Sequence, residues 1–411
     1  MQKIWLKHNP AGVPAQVKTD VYASLVALLD DSFGQHRDKP ACRFMGKAFS
    51  FGQIDATRRA LATWRQASGR QRGDHVASML PNVQQCPLAV AAVLRRVQKP
   101  VPPFACPPGV VGTRFNDAMA RGSRLALAPA AVGPDAIAVL QYTAGTTGVS
   151  KGAVLLHRNL VANILQAEAW YQPAFKKIPA GQQIVTMCAL PLHHIFGFNT
   201  TMMLGLRLGG CGLLIANHAD VDKVDWSRLK FSVGGGMAVT QGTARLWLHK
   251  TGCPICDGHG LSETSPSATR NPVDSSACSG TIGLPMPNTE LALRDGDGHA
   301  VATGQPGQIA IRSPRVMAGC CQRPDQAAKV MTADGVMRTG DVGVMDERGH
   351  VRVVDRKKDM ILVSGFNVSA NAFCAANLTG CKRPRLVGFC VDLPKTTVGK
   401  SLRRALREGQ Q

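Results

Sequence analysis

At 411 residues the chain has room for two or three domains at roughly 150 residues each, and 45% hydrophobic residues exclude a globally disordered polymer. A formal charge of +21 favours anionic partners: nucleotides, phosphates or an acidic membrane surface. Aromatic content is 5%, with no base-stacking motif, zinc-finger spacing or basic coiled coil, so nucleic-acid binding is not expected.

The 13 cysteines are odd in number and scattered, which fits free thiols in a reducing compartment. Cys253 and Cys256 form a C-x-x-C, but no second pair follows at zinc spacing. Residues 1–10 hold neither a long apolar core nor a cleavage site, so a cytoplasmic location is expected, with peripheral contact to the inner face of the cell membrane as an option. The longest apolar region, residues 202–216, is broken by Arg207 and four glycines. No transmembrane helix is expected there.

In chain order, Val21, Leu25, Leu28, Leu29 and Phe33 repeat at helical spacing and predict an amphipathic helix. Residues 49–65 read as a second helix, 75–80 as a short strand, and 87–96 as a helix again. This alternation predicts a parallel, doubly wound α/β sheet. Residues 97–134 show weak periodicity, with many prolines and an Ala-rich run. A turn cluster, Gly133-Pro134-Asp135, then leads into an apolar run, 136–142, that reads as a buried strand.

Directly after it come Thr143, Gly145, Thr146, Thr147, Gly148, Lys151 and Gly152. Glycines let backbone amides turn toward an anion, hydroxyls donate to its oxygens, and the lysine supplies charge. The pattern G-x-x-x-x-G-K-[ST] fails, because Ser150 occupies the second glycine position. The nucleophile-elbow pattern G-x-S-x-G does match at Gly148, Ser150 and Gly152. From these residues alone, a triphosphate cradle, a serine nucleophile and a plain surface loop all stay open.

Residues 157–171 read as a helix with Asn159, Asn163 and Gln166 toward one side. Residues 184–190 read as a strand with His193 and His194 at its carboxyl end, where open α/β sheets place ligands; helix capping is the alternative role for that pair. Residues 196–208 are helical by pattern, and 229–234 form a strand ending in a glycine triplet. Asp257 to Glu263 reads as a Gly-rich turn. A carboxylate there suits Mg²⁺, which binds through one or two carboxylates plus phosphates; a solvated turn residue is the alternative. From 281 to 354, short runs split by Gly, Asp and Pro predict a β-rich layer. Residues 355–359 are a charged linker by composition. Lys400, on a Gly-flanked loop, can swing toward a phosphate or simply belong to a basic tail.

The motifs YTAGTTGVSKG, LPLHHIFGF, GGGM, GHGLSETSP, RTGD, DRKKDMILVSGFNV and LPKTTVGK stand in one order along the chain. Their set resembles the adenylate-forming enzymes, the acyl-CoA synthetase and luciferase superfamily, with bacterial long-chain fatty acid–CoA ligases as the nearest pattern. The resemblance implies an α/β fold with doubly wound N-terminal subdomains, a β-rich layer and a small, reduced α+β C-terminal lid. It implies an adenylation domain over 1–357, a lid over 358–411 and a hinge at Lys358. It implies ATP, Mg²⁺ and coenzyme A as cofactors and a fatty acid as substrate.

Carried over residue by residue, Thr143, Gly145, Thr146, Thr147, Gly148 and Lys151 would cradle the phosphates, and Glu263 would hold Mg²⁺. Gly235, Gly236 and Met237 would line the adenine and acyl pocket, with His259 against the base. Asp341 and Arg356 would bind the ribose. Lys400 would bridge the acyl carboxylate and the α-phosphate, Gly365 would lie near the coenzyme A channel, and His194 at the acyl entrance. The family's tyrosine is His259 here, its Gly-Tyr-Trp is Gly319-Cys320-Cys321, and the Glu of its Gly-Glu-Leu is Gln308. Length is missing before Gly133, between Asn217 and Ser227, and between Phe373 and Leu378.

Overall fold

The computed structural model describes residues 3–69, 76, 85–94, 113, 115–129, 131–143, 151–214, 224–236, 239, 241–275, 279–356, 360–363 and 366–369. Ser24 caps the first helix, α1 (Leu25–Gln35), its hydroxyl accepting from the Ala27 amide at 3.2 Å. Leu25, Leu28, Leu29 and Phe33 are buried along one face, whereas Val21 precedes the helix and is half exposed. The hairpin of β1 (Pro40–Phe44) and β2 (Lys47–Ser50) turns through Met45 and Gly46, both at positive φ. Positive φ at both turn residues matches the right-handed twist of a hairpin. Residues 49–50 thus end a strand, and α2 (Phe51–Ala67) starts one residue later behind a reciprocal Ser50–Gln53 capping box. On α2 the fully buried Arg58 is paired with Asp55 and Asp30.

Next come α3 (Gln85–Val93) and α4 (Phe115–Gly122), the latter inside the stretch whose periodicity predicts little. Gly122 is there because a Cβ would sit 1.9 Å from the Ala60 carbonyl oxygen of α2. Apart from Val76, the predicted strand at 75–80 lies outside the described residues.

β3 (Ile137–Thr143) differs from the sequence expectation. It is half-buried, with Tyr142 45% exposed, and it pairs antiparallel with β4 (Lys151–Leu156). No polar turn separates β4 from α5 (His157–Phe175), which hides the strand in the sequence. α5 is buried nearly all round, the sign of a helix inside a core rather than on a surface. Three of its polar residues make long-range bonds: Asn159 donates to the Pro314 carbonyl, Asn163 to that of Ser267 and the Trp170 indole to that of Asn271, while the Gln166 amide and the Tyr171 hydroxyl are buried without a partner among the described residues.

β5 (Val185–Cys188) and β6 (Cys211–Leu214) join the hairpin in a sheet ordered β2-β1-β6-β5, parallel across its last three strands. Between them Phe196–Met203 winds as a π-helix before α6 (Leu204–Arg207). A second sheet runs β10-β9-β8-β7, from β7 (Ser232–Gly234), β8 (Ile255–Gly260), β9 (Ser267–Arg270) and β10 (Leu284–Pro285), with α7 (Gln241–Thr251) linking its parallel β7–β8 pair. Residues 257–260 therefore lie in a strand rather than a turn, and Glu263 sits on the 3-10 turn Ser262–Thr264 that follows.

The β-rich layer forms as predicted. β11 (Glu290–Arg294), β12 (Pro306–Arg312), β14 (Met337–Met345) and β15 (Val351–Arg356) make an antiparallel sheet over its own apolar cluster of Leu291, Ile309, Ile311 and Val351. β13 (Gly319–Cys320) pairs with β4, so the strand forms without the aromatic pair of the family pattern. α8 (Pro324–Val330) follows it, and β16 (Met360–Val363) with β17 (Phe366–Ser369) closes the described chain as a hairpin. The fold class is the expected α/β one, with the parallel strands confined to two sheets. Among the described residues no helix is long and apolar enough to cross a membrane, and eight cysteines are free thiols.

Candidate active site

Thr143 and Lys151 are register partners at the end of the β3–β4 pair where β3 finishes and β4 begins. The Tyr142 ring lies across Gly152, where a Cβ would approach it to 3.0 Å. The Lys151 ammonium donates to the Gln326 side chain of α8 at 2.6 Å. Gly145, Thr146, Thr147 and Gly148, with Ser150, lie outside the described residues, as do Met237, Lys358, Gly365 and Lys400.

A cleft opens among the ends of β7 and β8, the Ser262 turn and the π-helix. His194, Gly235, Gly236 and His259 all line it, so four of the sequence-predicted residues converge. The His194 ring is fixed by its own turn: Nδ1 accepts from the Phe196 amide at 3.2 Å, combining the capping role with a place on the wall. Gly236 has φ +86°, a region L-residues avoid, and a Cβ on Gly235 would come 3.3 Å from the Phe196 ring. The two glycines leave a bare backbone cradle against which a flat ring can lie.

His259 Nε2 and Asp341 Oδ2 are 2.7 Å apart, joining β8 to β14 and hence the cleft to the β-rich layer. Both side chains are largely buried, and His259 Nδ1 has no hydrogen-bond partner. A carboxylate offers about four acceptor positions, and one of those on Asp341 meets His259. Arg356 is the register partner of Asp341 on β15.

The Ser262–Thr264 turn packs beside β4, and both Glu263 and Lys151 act electrostatically on Cys320 in β13. Glu263 is half-buried, its backbone carbonyl accepts from the Met317 amide, and among the described residues no side chain pairs with its carboxylate. A carboxylate one residue beyond the cleft-lining Ser262 offers the hard oxygen that Mg²⁺ prefers. The residues present fit that ion.

Sequence reasoning did not single out Arg270. It ends β9 at the cleft wall, 2% exposed, with its guanidinium 5.6 Å from the Phe196 ring and 5.7 Å from that of Tyr171. Burial pushes the neighbouring Arg315 guanidinium down to about 9, and the positive charge of Arg270 acts in the same direction.

A family model described as AMP-binding enzyme matches residues 108–226 and 213–320. The long-chain-fatty-acid–CoA ligase of Yersinia pestis is 34% identical, over 99% of this chain and 98% of its own length. Its counterpart in Escherichia coli O157:H7 is 33% identical over the same shares. The first alignment runs to 556 positions against a chain of 411 residues, so internal gaps in this chain make up the difference. Among solved structures, ATP-bound MatB from Rhodopseudomonas palustris superposes with a TM-score of 0.81 at 22% identity, covering 95% of this chain and 99% of that one. The chain belongs to the AMP-binding enzyme family and, within it, to the acid–CoA ligases.

Proposed function

We propose that the protein is an AMP-forming fatty acid–CoA ligase: a carboxylate attacks the α-phosphate of ATP, giving acyl-AMP and pyrophosphate, and the coenzyme A thiol then displaces AMP. The observation that carries this reading is the convergence of residues from separate sequence motifs on one cleft, with Gly235, Gly236 and His259 on its wall and Asp341 bonded to His259. The bare Gly235–Gly236 backbone would take the adenine, with Met237 and His259 beside it. Asp341 and Arg356 would hold the ribose hydroxyls. Thr143, Gly145, Thr146, Thr147, Gly148 and Lys151 would bind the phosphates, and His194 would stand at the acyl entrance. Glu263 would hold Mg²⁺, which supplies neutralisation of phosphate charge. Such prearranged donors and cations stabilise charge as it develops on the transferring group.

Lys400 would bridge the two reacting anions, holding them in line, and Gly365 would flank the coenzyme A path. Contact of the strongly basic chain with an acidic membrane surface belongs to the same reading. The test is ATP–pyrophosphate exchange with a panel of acids. Lys400→Ala is expected to lower exchange at least ~100-fold while leaving ATP binding in place; unchanged exchange would remove the assigned role. A second reading, nucleotide binding without turnover, is favoured by the internal gaps against the full-length relatives. It predicts ATP binding with no exchange for any acid.

A further inference from the structure

A buried guanidinium needs an anion, and among the described residues Arg270 has none paired with it. Its Nη1 reaches the Gly234 and Cys256 carbonyls at 3.5 and 3.4 Å, and Nη2 reaches the Ser267 hydroxyl at 3.2 Å. All three acceptors are neutral, the distances are long for charged donors, and Nε has no partner. Among the described residues no carboxylate pairs with it. Beneath it, the Tyr171 hydroxyl is also buried without a partner. Gly258 makes the space, since a Cβ there would come 3.0 Å from the guanidinium carbon.

An alkyl chain filling this end of the cleft would strip water from the cation and return nothing. A carboxylate would restore the missing charge partner with short, charge-assisted bonds. The nucleotide is the less suitable source of that anion. Glu263 and Lys151, which act together on Cys320 of β13, are not among the partners of Arg270, which stands 5.6 Å from the Phe196 ring and 5.7 Å from the Tyr171 ring and reaches the Gly234 carbonyl.

We propose that Arg270 makes the acyl end of the cleft selective for acids that carry a second anionic group, dicarboxylic acids above all, with the guanidinium pairing the distal carboxylate. This inference rests on the reading of the cleft as the site of acid activation.

The experiment compares matched straight-chain monocarboxylic and dicarboxylic acids of short, medium and long chain, on wild type, Arg270→Val and Arg270→Lys. Two readouts run in parallel: pyrophosphate exchange, and equilibrium binding of the acid alone by calorimetry. Wild type is expected to prefer the best diacid roughly 10- to 100-fold over its monoacid partner. Arg270→Val should abolish or invert that ratio, and Arg270→Lys should retain part of it. ATP affinity should be unchanged in both variants. Equal or weaker binding of diacids by wild type would overturn the inference while leaving the ligase reading intact. Loss of ATP affinity in both variants would assign the guanidinium to the nucleotide and overturn it as well. Diacid-selective binding with no exchange would uphold the pocket and sink the ligase.

Discussion

His157 opens α5 immediately after the strand that carries Lys151, and its Nδ1 accepts from the Leu25 amide at 3.1 Å. The imidazole is 1% exposed, and burial pushes its pKa from 6.5 down to about 4. As pH falls from neutral toward 4, the unfolded chain therefore takes up a proton at this residue while the folded chain does not. Stability linked to His157 is complete above pH 6.5 and drains away as pH falls toward 4. Each pH unit separating the folded and unfolded pKa corresponds to about 1.4 kcal/mol, so the window is worth about 3 kcal/mol. His157→Asn keeps an acceptor near the Nδ1 position and removes the titration. Urea unfolding at a series of pH values is expected to show a wild-type free energy that falls by about 3 kcal/mol more than that of the variant between pH 7.5 and 4. Parallel curves for the two proteins would refute the account, since the bond alone, without a buried neutral ring, gives no such slope.

Two further outcomes concern the site and the charge of the chain. Glu263→Gln keeps the shape of the turn and removes the charge, so the Mg²⁺ concentration giving half-maximal exchange should rise about tenfold or more, with little change in melting temperature; an unaltered metal dependence would free Glu263 from that role. With +21 net charge, the protein should sediment with anionic vesicles at low salt and be released as salt screens the attraction, and equal retention on zwitterionic vesicles would remove the electrostatic argument.

Several elements were legible: α1 from its apolar spacing, α5 over most of its length, and the β-rich layer from its turn residues. β4 was not, because its six residues run from a Gly-containing loop straight into a helix with no polar break. For the same reason β3 read as a buried strand, although it is half-buried and one half of an antiparallel pair. Gly258 and Gly260 read as turn residues, but their glycines serve close approach within β8: a Cβ at Gly260 would lie 1.9 Å from the Pro266 carbonyl oxygen. Site residues were legible where a motif fixed them. Arg270 was not, since an isolated arginine reads by default as a surface residue; its register partner Gly258 is the local signal that space is left for it. The His259–Asp341 bond joins residues 82 positions apart and has no sequence signal at all.

The register pair Thr143–Lys151 fixes more than a strand end. Whatever path residues 144–150 follow, they leave and rejoin the sheet at two backbones about 5 Å apart, like a handle riveted at both ends. Folding of the stem has already met the entropy of closing that segment, so a ligand bound there does not have to. Changes at Tyr142 or Gly152, where the ring of the one lies across the backbone of the other, bear directly on that pair of fixed ends.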